Sequence, residues 1–313
     1  MNLDLIVSTI TQGLIYALVA FGVYITYTIL DFPDLSVDGS FPLGAAVTAV
    51  LLVQGVNPWA ALAAAIAAGI LAGLATGVIH VVFHVRNLLA GIITQTALFS
   101  INLMVAGASN VPIGRGTDTI FTSGPAALLG DASLSTRRLV VSLVLVVVVK
   151  LVLDAYFRTK SGLLLRAVGD NSTLVTALGK NMGNVKILGL ALSNGLVALA
   201  GSIVCHETRS FAATMGTGQV VFGLAAVIIG ISLMNFYTAT PAAQGLRRVK
   251  GLGFLGDPRG TTAVILGSVL YKLCIQLALS MGLPPNMMKL ITAMLFLLVL
   301  VVSGRKGEEI IHA

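Results

Sequence analysis

Three carboxylates stand close together near the start of the chain, between two apolar stretches. Asp31, Asp34 and Asp38 are interspersed with Ser36 and Ser40, and no basic residue lies near them in sequence. A carboxylate in hydrocarbon costs roughly 2.5 to 3.5 kcal/mol, so these groups must face water or protein donors. Asp and Ser bond readily to nearby backbone, which favours a capping and loop-folding role. Contact with a polar solute along a pathway is the minority interpretation.

A second polar series lies within an otherwise apolar stretch. Gln95 and Asn102 are seven residues apart and would share one face of a helix. Such a face can line a pathway or bond neighbouring helices, and the sequence supports both equally. Asn194 and Gln219 are weaker candidates for the same roles. The pathway candidates are Asp31, Asp34, Ser36, Asp38, Thr94, Gln95, Asn102 and Asn194.

The remaining reactive side chains do not indicate catalysis or metal binding. Lys272 falls within an apolar stretch, where it is expected to pair or snorkel. His80 and His84 are four apart but have no carboxylate or cysteine near them, so no metal site is predicted. Cys205 and Cys274 are interpreted as packing residues. No nucleophile, base and orienting group can be grouped, so we do not expect an enzyme.

The elements that position these groups must be membrane helices. Of 313 residues 57% are hydrophobic and 10% are charged, against about 25% charged in soluble domains. The long apolar runs fit helices, and a β-barrel would show alternating segments. We therefore predict an all-α, polytopic transmembrane helical bundle in one domain, 1–313. It would have about eight to ten spanning or re-entrant segments, at 5–30, 41–54, 58–82, 88–107, 139–157, 187–205, 218–236, 261–281 and 288–303.

Charge distribution predicts the orientation. The formal charge of +7 is scattered between apolar segments, which argues against nucleic-acid binding. Arg and Lys concentrate in short loops that should face the cytoplasm. This places the C-terminus inside and the N-terminus outside, with the first segment retained as a membrane helix. The segments 41–54 and 218–236 are candidates for half-helices, because one is short and the other is rich in glycine.

The longest basic loop, 158–186, carries the main functional signal. Residues 161–171 followed by 172–181 predict a short amphipathic helix between turns, with Gly169, Asp170 and Asn171 as a turn or cap. A cytoplasmic helix of this kind lies on the bilayer or docks into a partner's groove. A surface-lying connector is the alternative.

This loop resembles the coupling region of ATP-binding cassette importer permeases of the branched-chain amino-acid and ribose type. The matching residues include Gly162, Ala167, Lys186 and the glycine-rich run from Gly218 to Gly230. The segments 30–44 and 282–290 are similar to a subgroup linked with aromatic amino-acid uptake, while 238–259 looks longer and more basic than that pattern. The resemblance implies contact with an ATPase through Arg166, Gly169, Asp170, Asn171, Ala177, Gly179 and Lys180.

The same resemblance implies the partners and the place of work. It predicts a permease subunit in the bacterial inner membrane, surrounded by lipid and paired with a second permease copy. An extracytoplasmic solute-binding protein would deliver an amino acid or another small polar solute, with Arg115, Glu207 and Arg209 as candidate docking residues. ATP and Mg²⁺ would bind the partner ATPase, because no phosphate-binding Gly-x-x-x-x-Gly-Lys-Ser/Thr loop occurs in this sequence. No cofactor is expected on this chain.

Two other classes of membrane protein remain open at this point. A secondary transporter would use an ion gradient and would usually show an internal repeat, which is not evident here. A structural or channel-like protein would need no coupling loop at 158–186.

Overall fold

The chain forms a bundle of apolar helices with one short β-ribbon at one end. The computed structural model describes residues 3–129, 133–177, 179, 181–239, 260–282, 284, 287, 290–294, 296–298 and 301. The helices there are α1 Leu3–Val23, α2 Val37–Val53, α3 Pro58–Val81, α4 Asn87–Ala106, α5 Leu134–Tyr156, α6 Lys160–Asp170, α7 Ser172–Ala177, α8 Met182–Thr208, α9 Gln219–Ala239 and α10 Gly260–Ser280. A π-helix, Tyr24–Ile29, continues α1, and a 3₁₀ helix covers Gly124–Leu129.

Seven helical segments in the described residues are long and apolar enough to cross a membrane. They are Asp4–Ile29, Pro58–Val81, Asn87–Ala106, Leu134–Tyr156, Met182–Thr208, Gln219–Thr238 and Gly260–Ser280. The predicted all-α membrane fold is confirmed. The described residues also include an antiparallel pair of three-residue strands, β1 Asn110–Pro112 and β2 Ser210–Ala212, in which Val111 lies opposite Phe211.

The two ends of the bundle are distinguished by what they carry. The β end holds the β-ribbon, the start of α3 and the 3₁₀ helix, since Trp59 lies against Gly124. The α6 end holds α6, α7 and the start of α8, where Gly183 lies against Val81 at the end of α3. The basic residues of 158–186 are therefore at the α6 end, the end that the charge distribution predicts to be cytoplasmic.

Helix α8 is the centre of the bundle. It packs on α1, α2 and α3, and 78% of its most apolar window is buried. Gly73 of α3 meets the Leu190 carbonyl of α8, and Gly44 of α2 meets the Ala198 carbonyl. Small residues let helix backbones approach this closely in a bilayer, where van der Waals contact drives association. A methyl group at either glycine would collide with backbone.

The chain leaves the membrane-spanning pattern between α1 and α2. The π-helix ends at Ile29 near the α6 end, where Gly169 of α6 packs on the Ile29 carbonyl. Irregular backbone then returns into the bundle, and α2 begins beside the middle of the 27-residue α8. Such backbone is tolerated at membrane depth only where protein buries it.

Several segment boundaries differ from the predicted ones, and two of these differences concern the candidate functional residues. The predicted segment 41–54 begins four residues earlier, at Val37, because Ser36 starts the turn and Asp38 is inside the first turn of α2. The loop predicted at 158–186 contains two separate helices and ends at α8, whose first residue is Met182. Gly169 and Asp170 are the last residues of α6 rather than a turn, and the break comes at Asn171, whose φ is −154°.

Two predicted features fall largely outside the described residues. The span predicted at 288–303 is described only in part, and so is the basic segment 238–259, of which residues 240–259 are not described.

Candidate functional site

A buried hydrogen-bond network joins the carboxylate-rich segment to α8. The Asn194 side-chain nitrogen donates to Asp34 Oδ2 at 2.9 Å and to the Leu190 carbonyl at 3.0 Å. The Asn194 oxygen accepts from Ser36 Oγ at 3.1 Å and from Ser40 Oγ at 2.6 Å. Ser36 also donates its backbone N–H and hydroxyl to Asp34 Oδ1, at 2.8 and 2.6 Å. All four side chains are at most 3% exposed.

This network joins the start of α2 to α8, and protein groups occupy its hydrogen bonds. Both oxygens of Asp34 accept hydrogen bonds from protein. The Cα of Gly91 in α4 approaches the same carboxylate, so the space beside it is closed. Satisfied buried networks of this kind specify a single packing arrangement. The geometry favours the loop-folding interpretation for Asp34, Ser36 and Asn194.

Asp38 links the beginnings of two helices at mid-depth. It lies in the first turn of α2, and its carboxylate accepts from the backbone N–H of Gly218 at 3.0 Å and of Val220 at 2.9 Å. These N–H groups belong to the open N-terminus of α9, where an acidic side chain supplies missing acceptors and favourable charge. Gly218 adopts a φ of +89°, which its lack of a side chain permits.

A cavity of about 380 Å³ opens beside Asp38, between α2, α4 and the segment before α9. Its polar lining comes from three elements of the chain. It is lined by Asp38, Gly39, Pro42, Gln95, Thr96, Phe99, Ser100, Asn102, Ala213 and Thr217. The predicted common face of Gln95 and Asn102 therefore borders one space.

Asn102 is the anchored member of this lining. Its side-chain nitrogen donates to the Gly39 carbonyl at 3.1 Å. Among the described residues its oxygen has no hydrogen-bond partner, although Asn102 is fully buried. A buried acceptor without a donor costs free energy until a water molecule or a solute supplies one. Asn102 thus ties α4 to α2 and carries a buried acceptor next to the cavity.

The other predicted pathway residues lie elsewhere. Asp31 is exposed, with a φ of +50°, in the turn that follows the π-helix. Thr94 is buried and donates to the Ala90 carbonyl of its own helix at 3.0 Å. Of the eight predicted pathway residues, the structure brings Asp38, Gln95 and Asn102 together at the cavity; Asp34, Ser36 and Asn194 form the network behind it.

A second cavity, of about 300 Å³, was not anticipated from the sequence. It is bordered by Tyr16 of α1, Gln219 and Phe222 of α9, and Lys272 of α10. The Lys272 ammonium lies 3.4 Å from the centre of the Tyr16 ring and 5.2 Å from that of Phe222. The sequence signalled Lys272 as an intramembrane charge, but not the aromatic rings that receive it.

Another missed feature joins α5 to α10 near the α6 end. Asp154 pairs with Lys150 at 2.8 Å, one helical turn earlier, and accepts a hydrogen bond from Thr261 Oγ1 at 2.7 Å. The spacing of Lys150 and Asp154 could have suggested the pair.

The histidines at the α6 end have structural roles: the Nδ1 atom of His80 lies 2.7 Å from the Val85 carbonyl in the turn between α3 and α4.

The predicted coupling residues divide into exposed and buried ones. Leu163, Arg166 and Asp170 form an exposed face of α6, and Arg166 stacks on the Phe157 ring at 5.1 Å. Gly169 faces the opposite way, onto Ile29. The predicted residues Asn171, Ala177 and Gly179 are exposed, while Lys180 lies outside the described residues.

The family of the chain follows from a comparison of its sequence with family models. Residues 5–300 match the model of the branched-chain amino acid transport system permease component. The chain belongs to this permease family. It is therefore the membrane-spanning permease subunit of an ATP-binding cassette importer for a small polar solute, as the resemblance implied.

Individual relatives of the permease point to two kinds of solute. It is 40% identical over 292 residues, covering 93% of this chain and 89% of the relative, to the tyrosine transport system permease protein of Clostridioides difficile. It is 31% identical over 227 residues, covering 72% and 67%, to the ribose import permease protein RbsC of Bacillus subtilis. No solved structure matches the permease.

Proposed function

We propose that this permease carries an amino acid, with an aromatic one as the preferred candidate, through the cavity beside Asp38. The observation that supports this most is the polar lining at mid-depth, where unneeded polar groups would only be a cost. Asn102 contributes a buried acceptor without a partner, and Gln95, Thr96 and Ser100 add exposed or half-buried polar groups. An importer needs such groups to replace the hydration of its solute.

The choice of an amino acid rests on the relatives. The tyrosine permease matches nearly the whole chain at 40% identity, whereas the ribose permease matches 72% of it at 31%.

Energy would come from a separate ATPase that binds ATP and Mg²⁺ and docks at the α6 end. The supporting geometry is the exposed face of α6, where Leu163 is 56% exposed next to Arg166 and Asp170. The opposite face is seated on Ile29, through which movement of α6 can reach the segment before α2. Asn171, Ala177 and Gly179 continue this surface.

The other partners follow from the same assignment. A second copy of the permease would complete the pathway, with the C-terminus and the α6 end in the bacterial cytoplasm. A solute-binding protein would dock at the β end, where Arg115 is exposed. Arg209 there donates to the carbonyls of Gly114, Arg115 and Thr117, so it shapes the loop, while Glu207 is half-buried.

The test combines co-purification with transport. The tagged permease is recovered from mildly solubilised native membranes, its partners are identified by mass spectrometry, and uptake of labelled L-tyrosine is measured in the same cells. We expect an ATPase subunit to co-purify and uptake to stop when cellular ATP is depleted. Arg166→Glu should abolish both the co-purification of the ATPase and the uptake of tyrosine. Arg86→Glu is the matched control, because Arg86 is also exposed at the α6 end but lies outside α6.

The opposite results would change the assignment. If no ATPase accompanies the wild-type permease, or if uptake follows an ion gradient without ATP, the coupling proposal fails and a secondary transporter takes its place. If ATPase recovery is normal and tyrosine is not taken up, only the solute is wrong.

A further inference from the structure

The second cavity contains a cation whose charge no carboxylate neutralises at close range. In the described part of the chain the ion pair within 4.0 Å is Lys150 with Asp154, and Lys272 has no carboxylate oxygen at that distance. Its ammonium is instead held over the ring of Tyr16 at 3.4 Å. Cation–π contacts of this kind stabilise a cation by about 0.5 to 2 kcal/mol, which leaves most of the cost of burying an ammonium uncompensated.

Within the described residues, the charges that act on Lys272 and on its acidic neighbour sum to a positive value. Glu207 of α8 is the acidic residue whose field reaches Lys272, and it acts also on Arg138 of α5. These three groups carry two positive charges and one negative charge. Asp38 lies on the other side of the Gly218 backbone and is occupied by the N–H groups of α9. The cavity is therefore a place where an anion is favoured.

A polar acceptor completes the lining of the cavity. Gln219 is 8% exposed, and its side-chain nitrogen donates to the Met215 carbonyl at 2.9 Å. Its side-chain oxygen is buried and has no hydrogen-bond partner among the described residues, although the residue borders the cavity. A buried acceptor of this kind calls for a donor from water or a ligand.

The cavity lies near the middle of α10, slightly toward the β end. Gly13 of α1 packs on Val269 of α10, and Lys272 is almost one turn beyond that contact toward the β end. The β end is the one proposed to face the outside. Thr217 borders both cavities, so the second one adjoins the polar cavity beside Asp38.

We propose that the second cavity binds the carboxylate of the transported solute, with Lys272 as the counter-charge and the Gln219 side-chain oxygen as an acceptor for a donor on the same solute. The aromatic rings of Tyr16 and Phe222 hold the ammonium in place and exclude water around the ion pair. The proposal rests on the importer function above and names its substrate class: an α-amino acid or another small organic acid.

The test measures ligand binding by the purified permease. The permease is placed in nanodiscs of phosphatidylcholine, a lipid that carries no net charge. The midpoint temperature of its thermal unfolding is then measured with L-tyrosine, 3-(4-hydroxyphenyl)propionate, tyramine or inorganic phosphate at millimolar concentration. A ligand that binds the folded state raises the midpoint. We expect the two carboxylates to raise it, and tyramine, which lacks the carboxylate, to leave it unchanged.

Variants assign the effect to the lysine. Lys272→Met should weaken carboxylate binding at least tenfold, and Lys272→Arg should restore much of it. Lys186→Met is the matched control, since that lysine lies at the α6 end, far from the cavity. Glu207→Gln should tighten carboxylate binding, because it removes the negative charge that opposes the ligand.

Several outcomes would overturn the proposal. Equal stabilisation by tyramine, an unchanged ligand effect in Lys272→Met, or no effect of any carboxylate on the wild type would each exclude the site. Equal stabilisation by phosphate would show a general anion site and exclude carboxylate recognition. If these tests fail while the ATPase still co-purifies and uptake depends on ATP, the importer function stands and only this site is lost. If the ATPase is absent but carboxylates bind through Lys272, the carboxylate site stands and the importer function fails.

Discussion

Asn194 in the middle of α8 donates a hydrogen bond from its side-chain nitrogen to the carboxylate of Asp34 at 2.9 Å. The two residues are 160 positions apart in sequence, and Ser36 and Ser40 bond to the same amide. Asn194 thus supplies hydrogen-bond partners for most of the polar side chains at the start of α2, a helix that begins halfway through the bundle.

Replacement of this asparagine should destabilise the fold. Asn194→Leu removes the donor to Asp34 Oδ2 and the acceptor of the Ser40 hydroxyl, and a buried unsatisfied group costs about 1 to 3 kcal/mol, or more when charged. We expect the free energy of unfolding to fall by about 3 kcal/mol, measured by denaturant titration in detergent micelles. Asn184→Leu, at an exposed position of the same helix, should change it little. Equal values for the two variants would contradict the structural role of the network.

Two aspartates of the same segment should respond differently to loss of charge. Asp38→Asn removes one of the two carboxylate acceptors that cap α9, so we expect a loss of about 1 kcal/mol of stability and reduced uptake. Asp31→Asn is the matched control, because Asp31 is exposed and Asn tolerates its φ of +50°. Uptake and thermal midpoint are measured for both. A larger effect at Asp31 would return that residue to the pathway.

Alanine substitutions at Gly169 and at Gly179 should have different effects on docking of the ATPase at the coupling region. A Cβ at Gly169 would collide with the Ile29 carbonyl, so Gly169→Ala should displace α6 and lose the ATPase although its exposed face is unchanged. Among the described residues, an alanine side chain at Gly179 would meet no atom within 4 Å, and it would only strain a φ of +68°, at a cost of about 1 kcal/mol. ATPase co-purification distinguishes them. Normal recovery of the ATPase with Gly169→Ala would show that docking at α6 does not depend on the contact between Gly169 and Ile29.

The orientation can be tested with single cysteines. Cys205→Ala, Cys274→Ala is the background, to which a cysteine is added at Gly116 or at Asn171. Gly116 has open space around it near the β end, and Asn171 is exposed at the α6 end. In intact cells a membrane-impermeant maleimide should label the cysteine at Gly116 only, and in inverted vesicles the one at Asn171 only. The reverse pattern would place α6 outside and exclude docking of a cytoplasmic ATPase.

The sequence was sufficient to predict the helical bundle and some of the polar residues that border the first cavity, because apolar length and polar exceptions are local properties. The common face of Gln95 and Asn102 followed from helical periodicity alone. The partners of Asp34 and Asp38 did not, since they depend on the depth and rotation of helices far along the chain. The same reason applies to Lys272, whose aromatic contacts come from α1 and α9.

The hydrogen bonds of Asp38 also bear on how the chain is made. Asp38 is synthesised 180 and 182 residues before Gly218 and Val220, whose N–H groups donate to it. Asp34 is synthesised 160 residues before its partner Asn194. At about 5 to 20 residues per second, synthesis leaves these carboxylates unpaired for roughly 10 to 40 s. During that interval hydrocarbon would be a costly surrounding for them. We expect α2 to stay beside the insertion machinery and to enter the bundle only after α8 and the start of α9 have emerged from the ribosome.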